Sequence, residues 1–80
     1  RPVFSSFSIE TAGIPRLVGK NHLKLRVNSG TRQIDAIGFG LGGMFNDVTA
    51  MKKVHIAYRP QMNEWDGIST LQLNLKDIKW

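Results

Sequence analysis

The chain switches between two kinds of apolar spacing. His22-Leu23-Lys24-Leu25-Arg26-Val27 alternates strictly between basic or imidazole side chains and aliphatic ones. Successive side chains of a strand point to opposite faces. The pattern therefore predicts a strand over 22–28 with Leu23, Leu25 and Val27 facing a core, and His22, Lys24 and Arg26 facing outward. Val54, Ile56 and Tyr58 alternate with His55, Ala57 and Arg59 in the same way, and Pro60 is expected to stop that strand. Leu71, Leu73 and Leu75 alternate with Thr70, Gln72, Asn74 and Lys76 in a further strand. Between these lies the other spacing: Leu41, Met44, Phe45 and Val48 recur at i, i+3, i+4 and i+7, the period of a short amphipathic helix. Lys52 and Lys53 follow its predicted end, where cations suit the helix dipole.

Turn signals divide the rest. Val3–Ile9 reads as a first strand or its first half, and Pro15–Val18 continues it after a break at Gly13. Asn28-Ser29-Gly30-Thr31 is a hairpin turn, and 32–39 is the returning strand. Its Ile34, Ala36, Ile37 and Phe39 occupy both faces, which predicts a central strand covered on both sides. Met62–Gly67 is rich in turn residues and predicts a loop carrying Trp65. Three strands, a helix and two strands form the element order of the OB-fold, an all-β, five-stranded Greek-key barrel with one short helix, whose face and loops bind oligonucleotides. A five-stranded SH3-like barrel competes, but it needs no amphipathic helix at 41–49.

Size and charge refine this picture. Eighty residues make one small domain, predicted over 1–80, with a modest core. Cysteine is absent, so neither a disulfide nor a cysteine-based zinc site is available, and the two histidines lack metal-ligand spacing. Eleven Lys and Arg against six Asp and Glu give a formal charge of +5, which favours a polyanionic partner. No apolar run approaches a membrane span, and no signal peptide is visible. Both ends read as cut, so the chain is expected to be a domain of a longer protein.

Catalytic patterns are lacking. The acidic residues are scattered, the serines have no nucleophile-elbow context, and the glycines of Gly38–Gly43 match neither a P-loop nor the dinucleotide fingerprint. The stronger signal is for binding. Lys24 and Arg26 share a face, and Arg32 and Arg59 are expected to extend it on neighbouring strands. A solvated charged face is the other reading of such a row. Among the aromatics, Phe39 and Phe45 are assigned to the core and Tyr58 to a half-buried position. Trp65 has two open placements: a stacking platform on the loop between the last two strands, or a cap folded back on the barrel. The neighbouring Glu64 and Asp66 repel phosphate. His22 is read as a polar residue flanking a turn.

Together these motifs resemble a known family. Pro2-Val3-Phe4, Asn21-His22-Leu23-Lys24-Leu25, Ile34-Asp35-Ala36-Ile37-Gly38-Phe39-Gly40, Tyr58-Arg59-Pro60, Asn63-Glu64-Trp65-Asp66-Gly67 and Leu71-Gln72-Leu73 follow in the order of the C-terminal OB domain of the RecJ single-stranded-DNA exonucleases. The resemblance runs from about Pro2 to Ile78. It implies a module that closes around single-stranded DNA within a 5′–3′ exonuclease of recombination and repair, in the nucleoid region of the bacterial cytoplasm. Manganese or magnesium would then be held by separate DHH-type catalytic domains, whose metal-binding motifs do not occur here, so no cofactor is expected in this chain. The expected partners are single-stranded DNA and those catalytic domains, with no membrane contact and a monomeric state. The candidate nucleic-acid contacts are Lys24, Arg26, Arg32, Arg59 and Trp65. The rival expectation is a protein-interaction or structural barrel packed on the catalytic domains.

Overall fold

The computed structural model describes residues 3–80; Arg1 and Pro2, at the start of the opening motif, lie outside the described residues. Five strands, β1 (Phe4–Val18), β2 (His22–Ser29), β3 (Arg32–Gly38), β4 (Lys53–Trp65) and β5 (Ile68–Lys79), close into a barrel in the order β1-β2-β3-β5-β4. A 3-10 turn (Gly42–Met44) and one short helix, α1 (Phe45–Ala50), join β3 to β4. All pairings are antiparallel except β3 with β5. This is the OB-fold topology expected from the sequence.

Alternation sets the core. Leu23, Leu25 and Val27 of β2, Ala36 of β3, Val54 and Ile56 of β4, and Leu73, Leu75 and Ile78 of β5 are each 5% exposed or less. Val48, on the inner face of α1, joins this cluster, with Leu41, Met44, Phe45 and Met51 packed against it. The helix thus plugs one end of the barrel, as its apolar period predicts. The join is tight: a Cβ on Gly42 would lie 2.5 Å from Asn21 Oδ1 and 2.9 Å from the Asn21 carbonyl carbon. Only glycine lets the backbone pass there, and the Gly42 N–H donates to the Asn21 carbonyl at 3.1 Å.

Three expectations are corrected. Gly13 does not end a strand. β1 is continuous, and its register against β2 shifts between Ala12 and Arg16, so Gly13-Ile14-Pro15 forms a bulge. A second shift, between Ser6 and Ile9, lets β1 turn from β2 to β4. There the Ser8 N–H donates to His55 Nδ1 at 3.0 Å. Pro60 does not stop β4, which pairs through it to Trp65. Among the described residues the pairing of β1 with β4 ends at Phe4–Tyr58, and beyond that point β4 pairs with β5 alone. Proline is tolerated on such an edge because its missing N–H costs no ladder bond. Finally, β3 is not covered on both sides: Ile37 is half-buried on the outer face, and Phe39, just beyond the strand, is 57% exposed.

Two stability changes follow. Leu23→Ala is expected to cost about 2–5 kcal/mol as a core truncation. Gly42→Ala is expected to cost on the order of 1–3 kcal/mol through overpacking. Both are read as a lowered urea midpoint at unchanged m-value, whereas Lys20→Ala at an exposed turn should move stability by less than about 0.5 kcal/mol.

Candidate nucleic-acid interface

The inward apolar residues of β2 place His22, Lys24 and Arg26 on its outer face. Cross-strand register then decides their neighbours. Lys24 pairs with Arg16 of β1 on one side and Ile37 of β3 on the other; Ile37 pairs with Asn74 of β5, and Asn74 with Arg59 of β4. These five residues form one row across the strands. Neighbouring strands lie about 4.8 Å apart, so Lys24 and Arg59, three spacings apart, are separated by roughly 14 Å along the sheet. A second row runs beside it: Ala12, Arg26, Asp35, Gln72 and Gln61. The surface is a cationic and amide-rich band rather than a purely basic one.

The predicted residues differ in what they can offer. Among the described residues, the Lys24 ammonium is committed to no acidic partner. Arg26 is committed: its Nε donates to Asp35 Oδ1 at 3.1 Å, with the two side chains 61% and 47% exposed. Such an exposed pair is worth about 0–1 kcal/mol and opens readily to a competing anion. Arg59 stands on the outer face, where its Nε is buried without an acceptor among the described residues. It lines a cleft of about 340 Å³ with Pro60, Gln61, Asn74 and Lys76. Neither an Asp nor a Glu lines that cleft.

Arg32 does not extend the face. It pairs with Ser29 beside the Gly30-Thr31 turn and has the parity of the inward residues Ile34 and Ala36, so it sits exposed at the barrel's end. Trp65 is not in a loop but in the last pair of β4, opposite Ile68. Asp66 and Gly67, with φ of 55° and 79°, form the two-residue turn. Of the two placements open for Trp65, the exposed one holds: it is 82% exposed at the tip of an arm in which Met62–Trp65 and Ile68–Leu71 pair only with each other. Parity puts Trp65 on the same face as Arg59, Gln61 and Asn63. Asn63 Nδ2 donates to Gln72 Oε1 at 3.0 Å, which stiffens the base of the arm.

The structure adds Arg16, Asn74 and Lys76 to this surface. Arg16 was accessible by counting back across the Gly19–Asn21 turn from Lys24. Asn74 was not, because its position depends on the non-local parallel pairing of β3 with β5. The core assignment of Phe39 is overturned, while Phe45 does pack against the core. Tyr58 is half-buried as expected, its ring 6.1 Å from that of Phe4. His22 flanks its turn but also accepts a hydrogen bond at Nδ1 from the Gly40 N–H at 3.0 Å. Among the described residues, no three His, Cys, Asp or Glu come together as a group that could hold a metal ion.

A family model described as the RecJ OB domain matches residues 1–77. No curated protein and no solved structure matches the chain. With the match spanning nearly the whole chain and the barrel closed in OB order, the chain belongs to the RecJ OB domain family, the oligonucleotide-binding module of RecJ-type proteins.

Proposed function

We propose that this domain binds single-stranded DNA for a RecJ-type 5′–3′ exonuclease of recombination and repair. The observation that carries the reading is the outer row from Arg16 through Lys24, Ile37 and Asn74 to Arg59, continued by the cleft that Lys76 shares with Arg59. A strand laid across β2, β3, β5 and β4 meets cations and amides along its backbone. Lys24 and Arg59 each take a phosphate, and a phosphate oxygen in the cleft gives the Arg59 guanidinium the acceptor it lacks. Arg26 contributes by exchanging Asp35 for phosphate. Arg32 reaches the backbone beyond the groove, at the barrel's end. Trp65 offers its ring to a base, with Glu64 and Asp66 keeping phosphate away from the tip.

In this reading the chain itself is not an enzyme. Hydrolysis, with manganese or magnesium, belongs to the catalytic domains of the parent protein, against which this domain packs as a monomer in the bacterial cytoplasm near the nucleoid. No helix among the described residues is long and apolar enough to cross a membrane. A second reading, a barrel whose main task is docking on those catalytic domains, draws on the exposed apolar pair at the arm's tip, Trp65 and Ile68 (64% exposed).

A salt titration of fluorescent oligo-dT binding separates the two. Each phosphate neutralised on a single strand contributes a slope of about −0.7, so three or four contacts are expected to give roughly −2 to −3. Lys24→Glu combined with Arg26→Glu should weaken binding roughly tenfold or more at low salt. No binding at low salt, or binding indifferent to that double change, would falsify the DNA reading. Asp35→Asn, which releases Arg26, is expected to tighten binding and steepen the salt dependence. A weakened affinity would show instead that the ion pair positions Arg26 for its contact.

A further inference from the structure

Phe39 is the exposed aromatic that the core does not explain. It occupies the turn directly after β3, two residues beyond Ile37, and parity places it on the outer face beside the row that contains Lys24. Single exposed apolar residues are common on protein surfaces and need no explanation in themselves. The surroundings of Phe39 are unusual in how firmly they hold it. Its ring meets the His22 ring edge-on, with centroids 5.2 Å apart and planes at 74°. His22 is itself locked by the Gly40 N–H donating to its Nδ1 at 3.0 Å, which leaves the ring proton on Nε2. Asn21 Nδ2 donates to the Gly40 carbonyl at 3.3 Å, and the Gly42 N–H donates to the Asn21 carbonyl at 3.1 Å. Three hydrogen bonds therefore tie Gly40 and Gly42, just after Phe39, to Asn21 and His22. Beneath them, Gly42 leaves no room for a side chain.

The result is an apolar ring, still 57% exposed, fixed at the edge of a cationic row. A ring whose position is already set loses little freedom when a flat partner lies against it, so more of the stacking energy survives as affinity. Every nucleobase has such a flat face, which makes the contact tolerant of sequence.

We propose that Phe39 is a base-stacking subsite for an unpaired nucleobase, with His22 as the residue that positions the ring and Lys24 taking the adjoining phosphate. The proposal rests on the single-strand reading of this face and places a base platform on the opposite side of the row from Trp65. Geometry sets the direction: the Gly19–Asn21 turn and the Phe39 turn lie at one end of β2 and β3, and the arm carrying Trp65 projects past the other.

The test compares a short dT oligonucleotide with an abasic oligonucleotide of the same length, using fluorescence anisotropy at low salt. The abasic strand keeps the phosphates and removes the stacking faces. Phe39→Leu is expected to lower dT affinity about fivefold or more, the effect of one lost base–aromatic stack, while abasic binding and the salt slope stay at wild-type values. His22→Ala should lower the same dT-to-abasic ratio, and Phe39→Trp should preserve or raise it. The fall caused by Phe39→Leu should persist in a Trp65→Ala background. A wild-type ratio in Phe39→Leu overturns the proposal and leaves the phosphate row standing. Failure of the wild-type protein to bind either oligonucleotide overturns both.

Discussion

The register of β2 is the constraint on which the remaining arrangement depends. Its inward residues Leu23, Leu25 and Val27 sit in a barrel interior that includes no buried polar side chain among the described residues. A slip by one residue would drive Lys24 and Arg26 into that interior and expose three aliphatic side chains. Burying an unpaired charge costs far more than a small domain's total stability can absorb. The core thus holds the outer row in place without any contact within the row. Barrel closure carries the same discipline across the other strands, so that residues distant in the chain, such as Lys24 and Asn74, are held within two strand spacings of each other.

The charge distribution on that face is graded. Lys24 is open, Arg26 is held by Asp35, and Arg59 has a donor without an acceptor beside a cleft free of carboxylates. This grading suits the proposed role better than a uniformly basic patch. A strand can be engaged at fixed points and can displace a weak ion pair between them. Most of the net charge of +5 sits on that face, where Arg16, Lys24, Arg26, Arg59 and Lys76 stand against Asp35 alone, but other cations lie elsewhere. Lys52 and Lys53 lie where α1 gives way to β4, and Lys79 pairs with His55 on another part of the barrel. Their contribution is a diffuse field that raises encounter with any polyanion. What marks a site is the row and not the isoelectric point.

Much of the fold was legible in local periodicity. The strict alternation of 22–28, 54–58 and 70–76 and the helical spacing of 41–48 each place the right side chains inside. The failures share a cause: they sit where a neighbouring strand decides. A bulge lets β1 run through Gly13, and an open edge lets β4 run through Pro60. Arg32 has the right charge but the wrong parity for the outer face, which counting from Asp35 would have revealed. Phe39 has core chemistry but lies one position past the strand, in a turn tied down by polar groups of Asn21 and His22. The site was legible as a charged strand face. Its extent was not, because the parallel pairing of β3 with β5 leaves no signal in either segment alone.

The most direct test of this account is a chemical-shift titration of the isotope-labelled protein with short oligo-dT. Saturable shifts are expected at amides of the outer band and its extensions: Arg16 of β1, 22–26 of β2, Arg32 and 35–40 across β3 and its following turn, the Arg59–Gln61 and Gln72–Lys76 segments of β4 and β5, and Trp65 at the tip of the arm. Helix α1 and the seam between β1 and the start of β4 should remain unmoved. Shifts centred on that seam or on the helix, with the β2–β3 amides silent, would contradict it.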